Sequence, residues 1–344
     1  MANKSYNQMS FTSAYVSKRK INDKFLTQID KLVDWERVEK ILEKYYHKGQ
    51  SASGRESYPA LLLFKMVLLQ TWNGLSDYQV ESQVNDRISF MKFCGLRLED
   101  EVPDHSAICR FRKALTIRNG YESLLTEINA QLEKHRILVK KGTIIDASIT
   151  PTPRKPKGKK EYAIITNPIE SSLKEKPKAG VDVEASWTKK GGRLHYGYKK
   201  HYLCDKTTSL VLSVVTSTAK DHDSKYLGSC LSKVELPPRS EVLADKGYYG
   251  SPSEEILKKK GLKSRIQSKA VRGKPLSHWS KKRNKVISKE RYKIERIFGG
   301  IKRWFKSGYS RYLGTMKTHS QHVIEAISYN LKISLNLEMQ DPSK

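Results

Sequence analysis

No stretch of this 344-residue sequence approaches the ~20 consecutive apolar residues of a membrane-spanning helix. The start, Met1 to Lys20, is polar and has no apolar core of the kind a secretory signal carries. A soluble, intracellular protein without a membrane partner is expected. Cysteine is scarce: Cys94, Cys109, Cys204 and Cys230 show no paired short spacing, which excludes a zinc knuckle or a disulfide framework and leaves reduced, buried fillers as the expectation. Internal repeats are absent. Acidic residues are the remaining shortage, with 36 Asp and Glu against 65 Lys and Arg and a formal net charge of +29. A surface that positive calls for a polyanion, nucleic acid before an anionic membrane.

The apolar periodicity divides the chain. From Phe25 to about Val139 it is helical, through Val38-Ile41-Leu42-Tyr45, Leu61 to Leu69, and Leu124-Leu125-Ile128-Leu132. A helical domain over 1–140 is expected. Ser76 or Asp77 can cap one of its helices, and Asp104 after Pro103 can cap another bearing Ile108, Phe111 and Leu115. On that second helix Arg110 and Lys113 point away from the apolar stripe and Arg112 borders it, which suits a helix that reads a DNA groove; a solvated face is the alternative.

After Lys140-Lys141-Gly142 the period becomes strand-like. Strands are expected at 143–149, 194–204, 209–217, 241–245 and 262–267, with helices near 224–235, 252–260 and 288–305. Three neighbouring strands followed by alternating helix and strand make a mixed α/β sheet. This gives a domain over 141–311, carrying a long basic loop at 150–193, and a C-terminal helix in 312–344 that bears Ile324, Ile327, Leu331 and Leu335 and packs on the core.

Among so many cations, three acids stand in apolar company. Asp146 follows Gly142-Thr-Ile-Ile, Asp245 follows Val242-Leu-Ala, and Glu295 lies on a helical pattern with Ile294, Ile297, Phe298, Ile301 and Phe305 as its apolar stripe. The first two acids are expected at strand ends. Brought together without a cation, the three carboxylates would repel one another, whereas two divalent ions over a phosphodiester would be held by such a set. Magnesium, with manganese able to substitute, prefers carboxylate oxygens to His or Cys. Arg291 and Lys302 fall on the same helix edge as Glu295, placed for phosphates on either side of it. Arg291 and Glu295 also form an ordinary i,i+4 pair.

Residues 251–311 hold 20 Lys and Arg and 4 Asp and Glu, a net of +16. The aromatics interleaved there suit backbone phosphates and a stacked, unpaired base, with Trp279, in an expected basic loop, the best placed and Trp304 and Phe305 read as core. Asp223 is expected to cap a helix, Asp205 to make a turn, and Asp182 and Glu184 to pair locally with lysines; His195 and His201 are not expected to bind metal.

These motifs carry a resemblance. Trp72-Asn-Gly-Leu-Ser-Asp77, Pro103-Asp-His-Ser106, Ile145-Asp-Ala-Ser148, Ala185-Ser-Trp-Thr-Lys-Lys-Gly-Gly192, His195-Tyr-Gly-Tyr-Lys199, His222-Asp-Ser224, Ala244-Asp-Lys-Gly-Tyr248 and the Glu295 helix together resemble insertion-sequence transposases of the DDE class, in particular the insertion sequence five family. That family's last motif is a Tyr, two residues, an Arg, three residues, the catalytic Glu, six residues, then a Lys. Arg291, Glu295 and Lys302 match it, but Ser288 stands where the Tyr would be.

The resemblance implies a ribonuclease H-like catalytic core with Asp146, Asp245 and Glu295 as both catalytic and metal-holding residues. It also implies double-stranded DNA partners (terminal inverted repeats and target DNA), a homodimer in the DNA complex, and a place in the cytoplasm beside the nucleoid of a prokaryotic cell. Arg291, Lys302, Lys246, Arg110, Lys113 and Trp279 are the candidate DNA contacts. The rival readings are a nuclease of the same fold that cuts without joining, a regulator with a silent site, and a ribosome-associated basic protein.

Overall fold

The structure is a computed structural model and describes residues 23–46, 57–156, 162–167, 170–177, 180–271, 273 and 275–338. The expectations on Met1–Lys20, on 157–161 of the basic segment and on the last six residues lie outside these residues. No described helix is long and apolar enough to cross a membrane. The chain forms two compact units, Met1–Gly120 and Tyr121–Lys344.

The first unit contains α1 (Lys24–Leu32), α2 (Trp35–Tyr45), α3 (Ala60–Asn73), α4 (Asp77–Asp86), α5 (Ile88–Cys94) and α6 (His105–Ile117). α3 is apolar on nearly every side, so it is buried and the others pack around it. Its one buried cation, Lys65, meets Asp30 Oδ1 at 2.8 Å and lies over the Trp35 ring. Gly74 ends α3 in the left-handed conformation (φ 62°) that a residue with a Cβ resists. Ser76 then caps α4 in a reciprocal box with Gln79. Asp77, the other candidate cap, instead takes both ends of the Arg112 guanidinium at 2.6 and 2.5 Å. Asp104 caps α6 by accepting from Ala107 N at 2.7 Å.

The second unit begins with α7 (Gly120–Lys134), which the change of period at Gly142 had assigned to the helical domain. Asn129 of α7 donates to Val211 O at 3.1 Å and accepts from Asn330 Nδ2 at 2.8 Å, tying the helix to the sheet. Hydrophobic period reports local conformation; it does not report which core a helix joins.

The sheet is built from β1 (Gly142–Pro151), β4 (Ser186–Lys190), β5 (Arg193–Asp205), β6 (Val211–Thr218), β7 (Glu241–Ala244) and β8 (Lys263–Ile266). Its order is β4-β5-β1-β7-β8, with β6 also pairing with β5. β5 runs antiparallel to both β1 and β6; β7 and β8 run parallel to β1. Ile145, Leu203, Val242, Ala244 and Ile266 point to one face, against Leu227 and Leu231 of α8 (Leu227–Ser232) and Leu257 of α9 (Ser251–Lys259). α10 (His278–Trp304) and α11 (Thr315–Glu338) belong to the other face, where Tyr202 meets Phe298 and its hydroxyl donates to His322 O.

Several expectations are corrected. The segment 150–193 is not a loop throughout: β2 (Tyr162–Asn167) and β3 (Glu170–Pro177) pair as an antiparallel ribbon, and β4 follows. Backbone pairing needs no apolar face, so composition concealed it. α10 starts ten residues before 288 because Ser277 caps it by accepting from Ser280 N at 3.1 Å, and Lys and Arg extend a helix readily. Trp279 therefore stands in a helical first turn. α11 is buried nearly all round, polar residues included. Cys109 is exposed, unlike the other three cysteines.

Candidate active site

Strand register sets two of the three acids side by side. β1 and β7 pair with Thr143 opposite Val242 and Ile144 opposite Leu243, an offset of 99 residues, which is also the separation of Asp146 from Asp245. Asp245 follows directly on the last residue of β7, so the same offset puts it beside Asp146, close enough for its charge to act on that carboxyl. The β7–β8 register adds Gln267 to the row, and Gln267 N donates to Ala244 O at 3.1 Å. Asp146 is not at a strand end, as the sequence suggested: it pairs with Tyr202 in mid-β1, and the neighbour that stops is β7. Asp146 shares the face of Tyr202, toward α10.

The Arg291 guanidinium occupies that face. Its Nη2 donates to Asp146 Oδ2 at 2.6 Å and its Nη1 to Gln267 Oε1 at 3.5 Å, while Asp146 Oδ1 accepts from Ala147 N at 2.8 Å. Burial pushes the Asp146 carboxyl up to about 6 against the pull of Arg291, and the Asp245 charge adds to the rise. Asp245 is held by its own turn, accepting from Gly247 N at 2.8 Å to cap the short 3-10 helix Lys246–Tyr248. Lys246 is exposed beside it. The Tyr248 hydroxyl is buried without a hydrogen-bond partner among the described residues, and both aspartates act on it electrostatically.

Glu295 does not join the two aspartates. It is exposed one turn beyond Arg291, and among the described residues no group of three His, Cys, Asp or Glu side chains is arranged to hold a metal ion. The sequence expected three acids gathered; among the described residues Asp146 instead meets Arg291 of α10, a cation that answers a buried carboxylate with a second one nearby. The aspartate pair nevertheless fits a hard divalent ion in chemistry, since two neighbouring carboxylates are the hard oxygen donors such an ion prefers, while Arg291 holds Asp146 Oδ2 in this arrangement.

Further cations surround the pair. Lys190, next to the Gly191-Gly192 turn (φ 58° and 76°) that joins β4 to β5, acts on Asp146 and on Lys302. Burial, then the charges of Lys200 and Lys190, lower the pKa of Lys302. Lys200 is itself fully buried, 2.8 Å from Glu325 of α11. The outward side of α10 presents Lys281, Lys282, Lys285, Lys289, Arg296 and Arg303, all exposed, and Lys282 lies 5.5 Å from the ring of Trp279, which is 75% exposed. In the first unit Arg110 and Lys113 are exposed on α6, whereas Arg112 is tied to Asp77.

Of the remaining acids, Asp205 makes the expected turn, whereas Asp223, Asp182 and Glu184 take other partners than expected. Asp223 pairs with Lys199 at 2.8 Å, on the opposite face of β5 from Tyr202, and His222 is the cap. Asp182, nearly fully buried, accepts from the Tyr198 hydroxyl at 2.7 Å and from Gly314 N at 3.3 Å, and Glu184 accepts from Thr315 N at 2.8 Å, so both anchor the start of α11. Asp205 accepts from Thr207 N and Thr208 N in a turn. His201 is buried against Ser217 and stacked on Tyr226. Sequence reasoning missed Lys190, Gln267 and the Lys200–Glu325 pair; the strand alternation that turns Tyr198, Lys200 and Tyr202 to one side was the available signal for Lys200.

Comparison with known proteins agrees with this architecture. The family model described as Transposase domain (DUF772) matches residues 14–114, and the one described as Transposase DDE domain matches residues 138–331. The chain is also similar to the solved structure of a piggyBac transposase synaptic complex with hairpin DNA, at 10% identity and a TM-score of 0.43 over 93% of this chain and 76% of that one. The fold is a helical N-terminal region followed by a mixed sheet flanked by helices, which lies in the region matched by the Transposase DDE domain model. With more than half of its length matched by the catalytic-domain model, the chain belongs to the Transposase DDE domain family.

Proposed function

We propose that this protein is an insertion-sequence transposase of the insertion sequence five family. It binds the terminal inverted repeats of its own element as a homodimer, hydrolyses the phosphodiester at each end, and joins the freed 3′ hydroxyl to target DNA. The observation that supports this reading is the offset of 99 residues shared by the β1–β7 register and by Asp146 and Asp245, within the region matched by the Transposase DDE domain model.

In this reading Asp146, Asp245 and Glu295 hold magnesium, with manganese able to replace it. Two such ions would neutralise the phosphate, activate the attacking oxygen and stabilise the leaving one. Glu295, one turn from Arg291 on α10, would complete the set in a DNA-bound arrangement in which a phosphate draws the guanidinium from Asp146. Arg291 and Lys302 then bind phosphates on either side of the cut, and Lys246 binds one beside Asp245. The basic outer side of α10, with Trp279, grips the backbone without regard to sequence. Arg110 and Lys113 on α6 supply contacts to the terminal repeat.

The test is cleavage and strand transfer on end DNA with magnesium. Asp146→Asn, Asp245→Asn and Glu295→Gln are each expected to abolish nicking while DNA binding persists. Normal cutting by Glu295→Gln would remove the mechanism. Cutting without any joined product would leave a nuclease.

A further inference from the structure

A second site opens at the far end of β1. Thr152, Trp187, Leu194, His195, Tyr196 and Tyr309 line a cleft of about 350 Å³, within the range of small-ligand clefts. Trp187 and Tyr196 are cross-strand partners on β4 and β5 with ring centroids 5.1 Å apart, and they form one aromatic wall. Trp187 is 43% exposed, Leu194 67% and Tyr309 47%, so the cleft offers ring faces and an aliphatic edge to solvent. Exposed Lys155 also lines it.

The cleft is built from fixed parts. Thr152 N donates to Tyr196 O at 2.8 Å, Ser310 N donates to Pro151 O at 2.8 Å beside Tyr309, and the Tyr196 hydroxyl donates to Asp182 O at 2.7 Å. The backbone beneath the cleft and the Tyr196 ring are therefore pre-set, which lowers the cost of binding a flat ligand.

We infer that this cleft receives one unpaired nucleobase of a bound DNA strand, stacked against Trp187 with Lys155 on the adjoining phosphate. Three properties select that ligand. Aromatic faces stack on any base, the cation beside them suits a phosphate, and the chain's net charge of +29 brings DNA to the surface. Thr152 lies six residue steps beyond Asp146, at most about 20 Å along the chain, so the base lies within about six nucleotide steps of the aspartates. The inference rests on the DNA-binding part of the function proposed above and on none of its chemistry. It moves base stacking from Trp279, which stands in the first turn of α10, to a walled cleft.

The experiment uses the full chain without divalent ions. A blunt duplex is compared with the same duplex bearing a short single-stranded tail that contains 2-aminopurine. The tail is expected to tighten binding by roughly 5- to 150-fold, the equivalent of stacking one base, and to quench the 2-aminopurine emission. Trp187→Ala should abolish both the gain and the quenching and leave blunt-duplex affinity unchanged, while Trp187→Phe keeps part of each. Tyr309→Ala, on an exposed loop, serves as the second variant should Trp187→Ala melt early. Wild-type protein that gains nothing from the tail overturns the inference, as do Trp187→Ala and Tyr309→Ala variants that keep the full gain, or a loss shared equally by the blunt duplex. Failure to bind either DNA would sink the functional reading itself, and tail stacking without cleavage would leave this inference standing.

Discussion

Arg291 makes a contact that its sequence position conceals. Beside Glu295 it is a helix-surface i,i+4 partner worth a few tenths of a kcal/mol. In the fold its guanidinium, only 12% exposed, reaches across 145 residues to Asp146. One carboxylate oxygen cannot serve both a guanidinium at 2.6 Å and a divalent ion. Under the proposed function the ion and Arg291 therefore compete for Asp146, and a DNA phosphate that draws Arg291 away assists the ion. Arg291→Ala is expected to bind Mn²⁺ roughly tenfold more tightly in the absence of DNA, a change of about 1.4 kcal/mol, measured by the loss of the free-ion paramagnetic resonance signal. The same variant should cut end DNA more slowly. Unchanged Mn²⁺ binding would show that the ion pair does not oppose the metal.

At the scale of elements, α11 is the least ordinary part of the second unit. An amphipathic helix on the core was the expectation, but the helix buries Glu325, His322, Ser328, Asn330 and Ser334 along with its Ile and Leu residues. Three of its buried polar residues answer strands: Glu325 takes Lys200, His322 meets Thr150 and Thr216, and Asn330 bonds both N–H and C=O of Val211. Removing one member of a buried pair leaves the other charged and unanswered. Glu325→Ala should therefore cost about 3–5 kcal/mol in urea unfolding, whereas the double variant Lys200→Met with Glu325→Leu should recover most of that loss. A single-variant cost below about 1 kcal/mol would mean that water reaches Lys200. α11 also shows why periodicity understated the burial: a polar residue registers as exposed unless its partner is known.

The whole molecule couples these buried groups to pH. Burial lowers the pKa of His201 from 6.5 to about 4, and burial together with Lys200, His319 and His201 holds His322 well below the ordinary value. A depressed histidine contributes stability that is present above 6.5 and lost as pH falls through its folded value. Asp146, raised to about 6, has the opposite sign: its contribution is present below 3.8 and lost as pH rises through about 6. The two trends offset one another in the wild-type curve, so the difference from a variant is the informative measurement. At 1.36 kcal/mol per pKa step, His201→Gln should gain about 3 kcal/mol relative to wild type between pH 6.5 and 4, read from denaturant midpoints at each pH. Parallel curves would place His201 in contact with water.

Much of this protein was written locally. The helix caps at Ser76 and Asp104, the strand at Asp146, the turn after Asp245 and the positive surface follow from interactions spanning a few residues, and those survive in sequence pattern. The separation of 99 residues was visible as well, but its meaning as a strand register was not, because register depends on which strands become neighbours. Tertiary structure alone decided that Asp146 takes Arg291, that Lys200 lies beneath the sheet with Glu325, that Asp182 anchors α11, and that residues near 152, 187, 195 and 309 enclose one cleft. The physical reason is common to all four. A charged or aromatic side chain takes whatever partner the chain's path delivers within a few ångströms, and that path is set by the burial of the apolar core rather than by the neighbours of the side chain in sequence.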